Sequence, residues 1–499
     1  MLDTPARRRV APVAASVAAP SSGPARARTS GAWWVALPPA LLMLALGLWG
    51  LERDGALWQD EAVSYDMATR TVPEIWRTLG TADAVHGLYY LLIHAVFEIW
   101  EPGVVPLRLP SVLAMCATAA GVAVIGRRLA GPRAGLLAGL LLPLLPIVQR
   151  YAQEGRSYAL VTAFATWGTW LLLRRRWTAY AIVMLIACLL HEFAVLVVAA
   201  HGVTLWRTRR TRTLRADPDD PGERLLAVAR ALPYGWRIAA CAVAAGLAPL
   251  AALSVTQSQQ VDWIGFPSLP AFLMVVMIGV LAWLAPRDPA LADVRELAVP
   301  VMALPTAVLA VVSVFDPLFV DRYVLAYAIG AALLLGAALD RHWTRALAAG
   351  VAAATVLTLV VNGPPLRTPE SRKSDIREVA SAVAALAKPG DGLLFTPNRR
   401  RVFTLAHPSE LHTLKDVSLA ARPRASDTLF GTELPPAEIR AAMLRTDRIV
   451  AVQDPRGEPV DPFPEERVKR EVLAESFRLV EERVVDGVRV GLYVREGAR

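Results

Sequence analysis

The sequence predicts a polytopic α-helical membrane protein with a soluble α/β domain at its C-terminal end. Three observations carry this reading. Apolar runs of about 15 to 20 residues recur between Trp33 and Val361, close to the length a helix needs to cross a bilayer. Of the 499 residues, 55% are hydrophobic and only 19% charged, a balance unlike that of a soluble chain of this size. Beyond Val361 the long apolar runs stop, and short helical and strand patterns replace them.

The net charge of +9 would point to nucleic acid in a soluble chain. Here the arginines sit in short loops between apolar runs, where they orient a membrane protein instead. No nucleic-acid partner is therefore expected; the bilayer is. Cys116, Cys188 and Cys241 all lie in apolar runs and form no Cys-x-x-Cys pair.

The first element, residues 1–32, is rich in Ala, Pro, Ser and Arg and reads as a disordered cytoplasmic tail. The apolar run from Trp33 to Leu51 is long for a signal-peptide core and lacks a small-residue cleavage site, so it reads as a retained span. Next comes Trp58-Gln59-Asp60-Glu61, two adjacent carboxylates just outside a span with an aromatic anchor beside them. A solvated acidic loop is the plain reading of that stretch taken alone.

Basic loops follow at Arg127 to Arg133, Arg174 to Arg176, Arg207 to Arg237, Arg287 to Arg295 and Arg341 to Arg345. Positive residues favour the cytoplasmic side. Spans then fall at 107–126, 134–149, 157–173, 177–191, 193–206, 236–254, 271–285, 297–315, 323–339 and 343–361. With the first run this makes about eleven. The segment 73–105 is apolar enough to cross, but a single crossing there would put every arginine cluster outside. It reads as interfacial or dipping helices anchored by Trp76 and Trp100. An odd span count from a cytoplasmic start places residues 362–499 outside the membrane, as an extracytoplasmic α/β domain. Its expected elements are a helix from Asp375 to Leu386, a strand from Gly392 to Thr396, a helix from Ala437 to Leu444, a strand from Arg448 to Val452 and a hairpin turning at Asp486-Gly487.

The loops opposite the basic ones share one face. They hold Asp60-Glu61, Gln153-Glu154-Gly155-Arg156, His191-Glu192, Gln257 to Asp262 and Asp321-Arg322-Tyr323. Charge at the ends of spans is costly and marks function or a water-filled cavity. Each residue also has a plain structural reading. Glu61 can form an ion pair with Arg108, Glu154 and Arg156 can close a helix end, and Arg322 can snorkel from its span.

Four features in order carry a resemblance: Asp60-Glu61 in the first outer loop, His86-Gly87-Leu88-Tyr89-Tyr90 after it, Arg108-Leu109-Pro110-Ser111 at the next span, and Tyr151-Ala152-Gln153-Glu154-Gly155-Arg156-Ser157-Tyr158 two spans on. Over residues 33–330 the chain resembles the GT-C glycosyltransferases that use polyprenyl-phosphate sugars, with the protein O-mannosyltransferases, the aminoarabinose transferases and bacterial mannosyltransferase-like proteins as the nearest groups. Many relatives have His-Pro-Pro-Leu where this chain has His86-Gly87-Leu88.

The resemblance implies a GT-C-like transmembrane domain over 33–361, with the catalytic first outer loop at 52–106. It implies an inverting hexosyltransferase of the cell membrane, with mannose as one candidate sugar and a glycan, lipid or protein as acceptor. Asp60 would be the general base, because an acceptor hydroxyl must lose a proton as it attacks the anomeric carbon. Glu61 would stand beside it as the second catalytic carboxylate. The lipid phosphate is a good leaving group and needs cationic or hydrogen-bonding partners. His86, Arg108, Glu154, Arg156, His191, Arg322 and Tyr323 are the expected substrate-binding residues. The resemblance implies no certain cofactor; some relatives bind a divalent metal near the position of Glu154, so a divalent metal is one alternative. The rival readings are a transporter or flippase of lipid-linked sugars and a catalytically silent GT-C-like assembly partner. Transporters tend to carry repeated halves, and no repeat is visible here.

Overall fold

The computed structural model describes residues 33–216, 232–257, 264–371, 375–405, 411, 413–458, 460–485 and 487–497. The tail expected at 1–32, most of the basic segment before Arg237, Asp262 and Asp486 lie outside the described residues.

The membrane part is helical throughout. Helices α1 (Trp33–Leu48), α5 (Val104–Ala130), α6 (Pro132–Leu141), α7 (Pro146–Ala152), α8 (Tyr158–Leu173), α9 (Trp177–Leu190), α10 (Val195–Ala216), α11 (Tyr234–Thr256), α12 (Leu269–Leu284), α13 (Ala292–Val312), α14 (Tyr327–Arg341) and α15 (Arg345–Asn362) carry its apolar runs. Three shorter helices lie between α1 and α5: α2 (Gln59–Ala68), α3 (Val72–Leu79) and α4 (Gly87–Ile99). Helix α5 is the hub, packing on α1, α6 and α8.

The expectation of eleven spans is corrected. Among the described residues, four helices are long and apolar enough to cross a membrane, or five if the pair 132–144 and 146–152, bent by 68°, counts as one broken span. The expected runs are helical, but several stop short. At 1.5 Å per residue, a helix of 16 residues such as α1, α8 or α12 is about 24 Å long, less than the ~30 Å hydrocarbon core. The apolar pattern in the sequence does not itself mark where a helix ends. Four membrane-crossing helices and the shorter apolar helices beside them are those of a membrane protein.

The segment 73–105 is carried by two helices, α3 and α4, of 8 and 13 residues, each too short to cross. Thr71 and Glu74 form a capping box that starts α3, the Thr71 N–H donating to Glu74 Oε2 at 2.8 Å. Helix α3 buries Ile75, Thr78 and Leu79 and leaves Trp76 70% exposed.

The C-terminal part is an α/β unit. Its five-stranded sheet runs β2-β1-β5-β7-β6, with β1 (Gly392–Thr396) parallel to β2 (Lys415–Asp416) and β5 (Arg448–Gln453). Strands β6 (Phe477–Val485) and β7 (Val488–Arg495) form the expected hairpin, with Gly487 at φ +82° in its turn. Helices α16 (Ile376–Leu386) and α17 (Pro436–Leu444) fall where the sequence predicts them. Helix α18 (Pro464–Ser476) and the short pair β3 (Leu419–Ala421) and β4 (Thr432–Glu433) were not anticipated.

Alternation along the strands splits the unit's core in two. Leu394, Ile449 and Ala451 face α17 and α18, while Leu393, Phe395, Val450 and Val452 face the other way. That second face joins the membrane part. One continuous cluster contains Phe395, Val402 and Phe403 together with Ala62, Val63 and Met67 of α2 and Tyr89 and Ile93 of α4. Polar contacts reinforce it. Arg70 Nη2 donates to Thr428 O at 3.0 Å, Arg77 pairs with Asp427 at 3.1 Å, and the Ile376 N–H donates to Leu57 O at 3.0 Å. The helix bearing Asp60 is thus packed between the membrane helices and the α/β unit.

Candidate functional site

Helix α2 begins at Gln59, with Trp58 in extended conformation as its N-cap. Asp60 and Glu61 occupy the first turn, where the helix dipole favours negative charge. Successive helical residues point about 100° apart, so the two carboxylates part company. Glu61 is fully buried and Asp60 is partly exposed.

Glu61 meets Arg108 in a bidentate pair, Nε to Oε1 at 2.8 Å and Nη2 to Oε2 at 2.6 Å. The Gly155 N–H adds a bond to Oε1 at 2.8 Å. A side chain at Gly155 would run into Leu107 at 2.5 Å, so glycine permits this close approach. Arg108 also donates to Leu51 O at 2.7 Å and to Ala56 O at 2.6 Å. Arg108, expected to bind substrate, is therefore engaged away from the cleft. The pairing with Glu61 that the sequence allowed as the plain alternative is the observed one.

Asp60 turns the other way. Its Oδ2 lies 3.5 Å from Arg322 Nη2, with the Asp60 side chain 28% exposed. The Arg322 guanidinium is framed by aromatic rings, 5.7 Å from Trp58, 5.6 Å from Tyr158 and 5.7 Å from Tyr323. The Tyr323 ring lies 4.6 Å from that of His191, tilted by 44°, and His191 lies 5.7 Å from His86.

Arg156 sits on the same side. Its Nη1 donates to Tyr90 Oη at 3.1 Å and to Ser64 Oγ at 3.3 Å, and lies 3.9 Å from Asp83 Oδ2. Tyr90 also donates to Asp83. Asp83 has a left-handed φ of +54° and begins the turn that presents His86. Glu154 is buried, with its carbonyl oxygen accepting from Ser111 Oγ at 2.6 Å.

The structure thus brings Asp60, Arg156, Arg322, Tyr323, His86 and His191 to one place, and sets Glu61 and Arg108 behind it. Sequence reasoning missed Asp83, Tyr90 as a partner of Arg156, and Ser64. Asp83 stands three residues before His86, a spacing that was the available signal. Tyr158, His191, Arg322 and Tyr323 head a narrow cleft whose walls continue as Val161, Val197, Pro305 and Leu325. Its cationic, aromatic head suits an anion, while its volume of about 10 Å³ admits no more than a water, so a lipid chain would have to part these walls to enter.

Among the described residues no three His, Cys, Asp or Glu side chains group closely enough to hold a metal ion. The positive charge facing the cleft is that of the arginines.

No protein family model matches the sequence, and no curated protein matches it. Solved structures do match. The apo state of ArnT from Cupriavidus metallidurans is 15% identical, with a TM-score of 0.53 over 92% of this chain and 98% of that one. The same protein bound to undecaprenyl phosphate gives a TM-score of 0.47 at 15% identity, over 94% and 99%. AglB, the archaeal oligosaccharyltransferase from Archaeoglobus fulgidus, in complex with an inhibitory peptide and a dolichol-phosphate, gives 0.42 at 12% identity, over 93% and 74%. At such identity the likeness to apo ArnT is one of fold.

Proposed function

We propose that this chain is a membrane glycosyltransferase that moves a sugar from a polyprenyl-phosphate donor to an extracytoplasmic acceptor, with inversion. One observation carries the reading: the partly exposed carboxylate of Asp60 faces Arg322 at 3.5 Å, at the head of a cleft with apolar walls. The donor phosphate would lie against Arg322 and Arg156, its isoprenoid along Val161, Val197 and Pro305. Asp60 accepts the proton of the acceptor hydroxyl as its oxygen bonds to the anomeric carbon. The bond from that carbon to the phosphate oxygen breaks, and the arginines stabilise the charge on the departing phosphate. His86 or His191 and Tyr323 would hydrogen-bond sugar or phosphate. Glu61, with both oxygens taken by Arg108 and Gly155, would position its neighbour. Mannose is one candidate sugar, from the resemblance alone.

The test is incubation of the purified chain with a panel of radiolabelled polyprenyl-phosphate sugars. Transfer from at least one is expected, and transfer from none would sink the proposal. With the active donor, Arg322→Ala should weaken donor binding by roughly 1.5 to 3 kcal/mol, the worth of a hydrogen bond to a charged group. An exposed ion pair would cost only about 0 to 1 kcal/mol. Unchanged donor affinity in both Arg322→Ala and Arg156→Ala would return these residues to structural pairing.

We further propose that the transmembrane part at 33–361 and the α/β domain at 362–499 divide the work, the second lying outside the membrane and helping to place the acceptor. The arginine loops support this orientation. In a cysteine-free background, a cysteine at Ala425 should react with an impermeant reagent in intact cells and one at Arg175 should not. The reverse pattern would invert the topology.

A further inference from the structure

We propose that Gln153 and Arg53 are positioning residues that hold the Asp60 helix in register with the segment carrying Arg156. The inference rests on the assignment of Asp60 as base. It begins with the backbone. Arg53, Asp54 and Gly55, just before α2, have φ of +45°, +53° and +79°. For residues with a side chain the left-handed region is costly, and it persists where surrounding contacts over-determine it.

The contacts that do so are buried and polar. Gln153 follows α7 and is fully buried. Its Nε2 donates to Gly47 O at 2.8 Å and to Trp49 O at 2.7 Å, while its Oε1 accepts from Arg53 Nη2 at 2.7 Å. Arg53 donates further to Gln153 O and to Leu366 O, each at 3.3 Å. Arg108 holds the far end of the same loop through Leu51 O and Ala56 O. The loop leading to Asp60 is therefore fastened to the strand of chain that reaches Arg156 three residues later, and to the linker entering the α/β unit.

Only a primary amide satisfies this arrangement, since it must donate to two carbonyls and accept from a guanidinium at once. A carboxylate at 153 would face the Gly47 and Trp49 carbonyls with like charge. An apolar residue would leave those carbonyls and Arg53 short of partners. Neither Gln153 nor Arg53 lines the cleft, so any effect on transfer passes through the groups they hold.

The test is single-turnover transfer by the full-length purified chain at saturating donor, with donor affinity measured in parallel. Gln153→Leu and Gln153→Glu should slow transfer by about 10 to 100-fold, the scale on which small misplacement acts. Donor Kd should stay within about two-fold, and Arg53→Lys should retain more activity than Arg53→Ala. The deciding measurement is a cycle with Asp60→Asn. If Gln153 acts through the base, Gln153→Leu should cost little more once the base is gone. An equal cost in both backgrounds, or a loss of donor affinity in place of rate, would overturn the inference. Should Gln153→Leu fail to fold, Arg53→Lys carries the same cycle. Full transfer by Asp60→Asn would defeat the assignment of the base itself, and that result is read before any Gln153 variant.

Discussion

Asp60→Asn is expected to fold, insert and bind donor lipid as the unaltered chain does, while sugar transfer falls by about 10² to 10⁴-fold, the usual worth of a positioned base. The substitution preserves the shape of the side chain and an oxygen for Arg322, 3.5 Å away, to approach. It removes the capacity to take a proton. The partial exposure of the carboxylate matters here, because an acceptor must reach it from outside while the donor lies in the cleft. Loss of rate with unchanged donor affinity places the residue in the chemical step. A structural acid would behave otherwise, its lost activity tracking lost expression or thermal stability. A transporter of lipid-linked sugars would show no transfer in either protein. Full transfer by a folded Asp60→Asn protein is the result that would falsify the assignment.

The membrane character, the α/β unit and most of the candidate site were legible in the sequence for different physical reasons. Arg156, His191, Arg322 and Tyr323 stood out because charge and hydrogen-bonding groups at the ends of apolar runs are costly unless something uses them. The strands β1 and β5 were readable as short apolar runs, being buried on both faces. The number of crossings was not readable, because composition reports where apolar residues lie and not where a helix ends. Helix α18 was missed because its core side, through Val468, Val472 and Leu473, is diluted by Glu and Arg on the solvent side. The α/β unit's grip on α2 was also out of reach. Val402 and Phe403 lie more than three hundred residues from Ala62 and Val63, and no local pattern links them. Arg108 is the most instructive case. The resemblance implied a substrate-binding cation and the sequence allowed a pair with Glu61; the fold has that pair, with two loop carbonyls that no local pattern links to it.

Glu61→Gln should therefore act on stability where Asp60→Asn acts on chemistry. Arg108 is fully buried, and Glu61 is the carboxylate that neutralises it in a bidentate pair. Breaking a buried pair from one side leaves the other charge uncompensated, at about 3 to 5 kcal/mol. The Leu51 and Ala56 carbonyls would still receive Arg108, which sets the expectation at the lower end of that range. An amide at 61 could keep one acceptor, for Gly155 N–H or for the guanidinium, while its NH₂ would face a donor. The measurement is thermal unfolding of the detergent-solubilised chain beside single-turnover transfer per folded molecule. Glu61→Gln should lower the apparent Tm well below that of Asp60→Asn and leave transfer per folded molecule within about ten-fold of the unaltered chain, since the base itself remains. Removing both charges by Glu61→Leu with Arg108→Leu should recover part of the lost stability, because no buried charge is then stranded. Recovery should stay incomplete, as the Gly155 N–H and the two loop carbonyls lose their partners. A Glu61→Gln protein as stable as the original but slowed by a hundred-fold or more would make Glu61 a participant in the chemistry, and the division of labour between the two carboxylates would have to be redrawn.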